Sequence, residues 1–161
     1  MVAEPSARLA RLMEEAVAFS VNHVHEGGIP FTALVVDRRG IVLGRGVNRV
    51  RELLDPTAHA EVEAIRDACR MHGKTDLRGA TLLASGEPCA MCYMSALFAG
   101  ISHVLFAADR DEAAAHGFDY RDSYRVFAQD PITWRSPSAK KFPVPGRLHP
   151  FLEFGAKLRF P

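Results

Sequence analysis

Two cysteines three apart, directly after a proline, constrain this chain more than any other stretch: Glu87-Pro88-Cys89-Ala90-Met91-Cys92. Such a pair serves as a redox couple, as two ligands of a zinc ion, or as half of a disulfide framework. Each role asks for a different fold. The chain holds three cysteines, with Cys69 the third, a small and odd number for a disulfide framework. At 161 residues it can bury a core without covalent staples. The expectation is therefore a single domain over residues 1–161 in a reducing, cytoplasmic setting.

The redox role needs a strand-to-helix Cys-x-x-Cys, and a helix is predicted from Pro88, which suits a first turn. A second feature competes with it. Thirty residues before Cys89 lies His59-Ala60-Glu61, at the start of another predicted helix. Zinc takes imidazole and thiolate ligands, and a catalytic zinc keeps three protein ligands and an open fourth position. His59, Cys89 and Cys92 supply one nitrogen and two sulfurs. Residues three apart share a helix face, so both thiolates can reach one ion, and the positive end of the helix dipole favours them as anions. Glu61 is too near His59 in sequence to be an easy fourth ligand and is well placed as an acid/base beside the open position. A closed structural site would need His72 or His103, neither of which sits in ligand-like spacing. Cys69 shares the apolar face of its helix with Val62 and Ile65 and reads as a core thiol. His23, His25, His116 and His149 belong to no motif and default to solvated or core roles.

Around these motifs the pattern alternates between helix and strand. Residues 6–24 are amphipathic through Leu9, Leu12, Met13, Ala16, Val17, Phe19 and Val24, with Ser6 as a cap. Residues 31–37 and 41–47 form a hairpin around Asp37-Arg38-Arg39-Gly40. Thr57 is the expected N-cap of a helix over 58–71. Residues 80–85 and 103–108 read as buried strands, and Gly100 stops the helix between them. This order predicts an α/β fold with a mixed sheet and helices packed against it. Six of the ten prolines fall in residues 131–161, so the chain divides into a core over about 8–120 and an irregular proline-rich extension over about 121–161. Its last stretch, HPFLEFGAKLRFP, reads as a short helix or an arm.

"HAE" with "PCAMC" resembles the zinc-dependent cytidine deaminase-like superfamily. "GGIPFTALVV", "GRGVN", "DPTAHAEVEAIRDAC" and "AADRDEAAAHGFD" extend the likeness to its bacterial guanine deaminase branch, over about residues 10–119. The resemblance implies a three-layer α/β/α sandwich around a five-stranded mixed sheet, with zinc held by His59, Cys89 and Cys92 and protons moved by Glu61. It further implies that Asn48 binds the base, that Phe31 packs against it, and that the backbone N–H of Ala60 faces a substrate carbonyl. Where that branch reads Gly-Phe-Asp-Asp, this chain has Gly117-Phe118-Asp119-Tyr120. A pocket carboxylate is thus replaced by Tyr120, while Asp119 remains and Asp122 is near. Tyr93-Met94 also stands where a small or aliphatic pair is usual.

The activity implied is hydrolytic deamination of a free nucleobase or related aminated heterocycle, guanine to xanthine first, then cytosine or another base or nucleoside. Two other readings stand beside it: a tRNA adenosine deaminase, which shares the motifs, and a zinc-binding subunit without catalysis, against which Glu61 weighs. A net charge of +1 with both signs interspersed offers no footprint for a polyanion and counts against a nucleic-acid partner. No segment approaches the roughly 20 apolar residues of a membrane span, and MVAEPSARLARLMEEA has no leader-like apolar run. A homodimer is expected, from the family's habit and from the aromatic, proline-punctuated C-terminal stretch.

Overall fold

The apolar runs of the sequence pair into one sheet. In the computed structural model, which describes residues 7–159, β1 (Thr32–Val36) lies antiparallel to both β2 (Val42–Val47) and β3 (Thr81–Gly86). β3 pairs in parallel with β4 (His103–Ala108), giving the order β2-β1-β3-β4. Every residue of β1 and β3 is buried, and the apolar runs Ala33–Val36 and Leu82–Ala84 suit strands covered on both faces.

Successive residues of β1 point to opposite faces, and each face has its own helix layer. Leu34 and Val36, with Leu83, meet Leu9, Leu12, Met13 and Ala16 of α1 (Ala7–His25). Ala33 and Val35, with Leu82, meet Ala60, Ala64, Ile65 and Ala68 of α3 (Ala60–His72). α4 (Ala90–Phe98) joins this second layer through Ala96. The result is a helix–sheet–helix sandwich. A short helix, α2 (Val50–Leu53), precedes α3. Ser6, the expected cap of α1, lies outside the described residues.

Small residues set how closely α3 approaches the sheet. A Cβ on Gly46 would fall 2.1 Å from the carbonyl oxygen of Ala60 and 2.4 Å from the nitrogen of Ala64. Gly44 meets Ala68 and Ala64 in the same way. The obstacle is helix backbone, which cannot rotate away. Gly46→Ala is expected to destabilise the fold by about 3 kcal/mol, the upper end for overpacking. For a chain of this size that lowers Tm by roughly 6–12 °C, measurable by calorimetry.

Three expectations need correction. The described residues contain four strands, not five. After β4 the chain enters α5 (Arg110–Ala115), whose N-cap Asp109 forms a capping box with Glu112, and then turns through Gly117 at φ +91°. The polar stretch that follows forms α6 (Asp122–Phe127) and offers no apolar run to pair with β4. β4 is consequently an outer strand among the described residues, as β2 is at the other edge, and is half exposed, not buried. The third correction concerns the proline-rich extension, which is not wholly irregular. The chain divides into two compact units at Arg125/Val126, and the second carries a 3₁₀ turn (Pro131–Thr133) and α7 (His149–Arg159). Among the described residues no helix is long and apolar enough to cross a membrane.

Candidate metal centre and adjoining cavity

Two helix starts supply the centre. His59 and Cys89 are the N-cap residues of α3 and α4, both extended in backbone, and neither side chain is used to cap its helix. Thr57 is not the cap, because its hydroxyl and N–H both bind the Asp55 carboxylate, at 2.7 and 2.8 Å. That turn delivers His59 to the cap position, with its N–H donating to the Thr57 carbonyl at 2.8 Å. Cys92 lies one turn into α4 and is fully buried.

The three donor atoms form a tight triangle. His59 Nδ1 lies 3.6 Å from Cys89 Sγ and 3.5 Å from Cys92 Sγ, and the two sulfurs are 3.6 Å apart. A tetrahedral zinc with bonds of about 2.3 Å to sulfur and 2.05 Å to nitrogen requires roughly 3.8 Å between sulfurs and 3.6 Å from sulfur to nitrogen. The triangle therefore has the dimensions of a zinc site, and it is the one such His/Cys/Asp/Glu group among the described residues. All three cysteines are free thiols.

Electrostatics favour metal binding. Hydrogen bonding with Cys92 lowers the Cys89 thiol to about 4 against the cost of its burial, with His59 adding to the effect. Cys92 is pushed up as the partner that keeps its proton. The pair thus presents one ready thiolate, which a cation completes by displacing the second proton. Glu61 is buried, with Oε2 3.4 Å from Cys92 Sγ, and desolvation raises it above the usual carboxylate range.

The centre opens into a cavity of about 370 Å³, within the roughly 300–1,000 Å³ of small-molecule sites. His59, Glu61 and Cys89 face it, together with Asn48 and Phe31. Asn48 Oδ1 accepts the Val50 N–H at 3.2 Å, so the group it offers the cavity is its Nδ2 donor pair. His23, which had no role in the sequence reading, is buried beneath it, Nε2 2.9 Å from the Asn48 carbonyl. Phe31 meets Phe118 edge-on at 5.2 Å and Tyr120 at 6.3 Å. Gly86 leaves room for the Phe31 ring, since a Cβ there would lie 2.7 Å from it. Ala60 is buried between two lining residues, and its N–H is among the first-turn donors without an intrahelical partner.

Tyr120 and Asp119 line the cavity, and each is already bonded to another part of the chain. The Tyr120 hydroxyl donates to the Glu87 carbonyl at 2.6 Å, and burial first, then the charge of Glu61, keeps that phenol protonated. Asp119 is paired with Arg121, which holds its carboxylate at about 2. Asp122 does not line the cavity and pairs with Arg125. Cys69 is half-buried against the core, as expected of a structural thiol, and His72 and His103 take no part in the centre.

Sequence reasoning missed Glu87. It is buried, lines the cavity, and binds the Arg110 guanidinium at 2.5 Å and the Arg110 N–H at 2.8 Å. That pairing holds Glu87 below the usual carboxylate range. A glutamate directly before the Pro-Cys pair was the available signal.

Comparison with known proteins agrees with this geometry. Residues 6–108 match the family described as the cytidine and deoxycytidylate deaminase zinc-binding region. The guanine deaminase of Bacillus subtilis is 41% identical over 108 residues, covering 66% of this chain and 69% of that protein. The crystal structure of a guanine deaminase from the same organism superposes with a TM-score of 0.81 at 34% identity, over 89% of this chain and 91% of that one. The tRNA-specific adenosine deaminase of Aquifex aeolicus is 40% identical over 83 residues, 52% of this chain, and the chain spans about half of its length.

Proposed function

This chain belongs to the cytidine and deoxycytidylate deaminase family, and on that footing we propose that it hydrolytically deaminates a free nucleobase, guanine to xanthine and ammonia. The observation that carries the reading is a donor triangle of zinc dimensions beside a buried carboxyl, at the floor of a small-molecule cavity. The likeness to guanine deaminase, which extends over most of both chains, supports guanine as the base.

In this reading His59, Cys89 and Cys92 hold one zinc ion. When bound, the ion lowers the pKa of a water from about 16 to near 7. Glu61 takes the proton that the water gives up and passes it to the ring nitrogen beside the amino-bearing carbon, which makes that carbon more electrophilic. Once the hydroxide oxygen has bonded to that carbon, Glu61 collects the remaining hydroxyl proton and gives it to the amine, so that the C–N bond breaks as C=O forms. One water is consumed, one ammonia leaves, and C=O replaces C–NH₂. A carboxyl raised by burial suits a group that must both accept and return a proton. Asn48 Nδ2 and the Ala60 N–H offer donors to the carbonyl and ring acceptors of the base, and Phe31, Phe118 and Tyr120 wall its flat faces and edges.

A tRNA adenosine substrate is the second reading, favoured by the Aquifex relative. The balanced charge counts against it, because polyanion binding rests mainly on excess positive charge. Ammonia release from guanine, cytosine, isocytosine, adenine, pterin, their nucleosides and an anticodon stem-loop separates the two. Turnover of guanine supports the proposal, and turnover confined to the stem-loop defeats it.

We also propose a homodimer. The exposed aromatic residues Phe142, Phe151 and Phe154 offer apolar surface for it. Sedimentation at micromolar concentration should give twice the 17.7 kDa chain mass, and a monomer rejects this.

A further inference from the structure

The turn that carries Cys89 is held from outside itself. Glu87, Pro88 and Ala90 surround the cysteine, and their main-chain groups bond to side chains of one segment more than thirty residues downstream. The Tyr120 hydroxyl donates to the Glu87 carbonyl at 2.6 Å, and the Tyr124 hydroxyl donates to the Pro88 carbonyl. The Ala90 N–H donates to Ser123 Oγ at 3.3 Å. Pro88 has no N–H to contribute.

Arg110 backs this arrangement. It grips the Glu87 carboxylate and lays its guanidinium 3.6 Å over the centre of the Tyr124 ring. All three tyrosines of the chain gather here: Tyr124 lies 6.3 Å from Tyr93 and 6.4 Å from Tyr120, ring centre to ring centre. Neither tyrosine of the segment is needed to build the sheet. Their hydroxyls go to the two carbonyls that immediately precede the cysteine.

We propose that Tyr120 and Tyr124, supported by Ser123 and Arg110, are positioning residues that clamp the cysteine turn and set how slowly the site releases its metal. The proposal rests on reading His59, Cys89 and Cys92 as the metal ligands. Metal leaves such a site by stepwise detachment of ligands. Cys89 sits at the start of α4 and Cys92 inside it, so Cys89 is the thiolate ligand with more freedom to swing away. Pinning the carbonyls before it and the N–H after it removes that freedom. Outer partners that orient ligands typically change metal affinity by about 10–100-fold when they are removed.

The test uses full-length zinc-loaded protein and a chromogenic chelator in excess. Tyr124→Phe removes one hydroxyl and keeps the ring over which Arg110 lies, and it should release zinc about tenfold faster than the parent chain. The Tyr120→Phe/Tyr124→Phe pair should approach 100-fold. Tyr93→Phe is the control, because the Tyr93 hydroxyl meets the Glu87 side chain at 3.4 Å and not the turn backbone; its release should stay within about twofold of the parent. With cobalt in place of zinc, the thiolate-to-metal absorption band should weaken or shift in the double variant and not in Tyr93→Phe. Where the double variant fails to fold, Tyr124→Phe and Ser123→Ala carry the same comparison. Parent-like release and an unchanged cobalt spectrum in Tyr124→Phe and the double variant, from a parent chain that does hold zinc, would overturn the clamp alone. A parent chain that binds no zinc would overturn the ligand reading and the clamp with it.

Discussion

Glu61→Gln should keep its zinc and lose about 10³–10⁴-fold in kcat, the upper end of what general acid–base groups contribute, as expected of a residue that moves several protons. The substitution is nearly isosteric. The carboxyl it replaces is buried and 3.4 Å from Cys92 Sγ, and the ligand triangle does not depend on it. Metal content and fold should therefore be unchanged while proton transfer is gone. KM should move little, because Asn48, the Ala60 N–H and the aromatic wall remain. Parallel measurement of zinc content and kcat checks this, and a fall in kcat of less than tenfold would make Glu61 a structural residue.

Cys89→Ser should lose the metal. Serine offers a hard hydroxyl with a far higher pKa where the site needs a thiolate, and two remaining ligands do not hold the ion. The substitution isolates the metal's contribution because Cys89 is the N-cap of α4 and serine is a preferred cap, so the helix start itself is not weakened. A ligand present at a thousand times its Kd stabilises the folded state by about 4 kcal/mol. Removing it should lower Tm by roughly 8–16 °C for a chain of this length. Parent chain stripped with a chelator should melt with the variant, and adding zinc should raise the parent alone. A variant that retains one equivalent of zinc contradicts the ligand assignment.

The residues that were legible in the sequence are those whose chemistry forces local spacing. A zinc site built on helix starts needs its thiolates three apart and its imidazole at another helix start, and Cys89, Cys92 and His59 announce this without any knowledge of the fold. β1 and β3 were legible for a similar reason, since strands covered on both faces carry near-continuous apolar runs, here Ala33–Val36 and Leu82–Ala84. β4 has the same kind of sequence and is half exposed, because burial of an outer strand depends on what the chain does afterwards. Thr57 looked like a cap, but Asp55, two residues earlier, captures its hydroxyl. Glu87 drew no role because its partners Arg110 and Tyr120 lie 23 and 33 residues away. The same distance hid what Tyr120 does. The sequence shows a missing carboxylate at that position, whereas the structure shows a phenol whose hydrogen bond is already committed to the turn before Cys89.

Zinc-dependent deamination is tested most directly by ammonia release from guanine by one preparation in three states: as purified, stripped of zinc, and reloaded with one equivalent. Turnover is expected in the first state, loss of at least a hundredfold in the second and recovery in the third, because the metal makes the water acidic enough to give its proton to Glu61 near neutral pH. Full turnover by metal-free protein, or no ammonia from guanine in any state, would contradict zinc-dependent deamination of guanine.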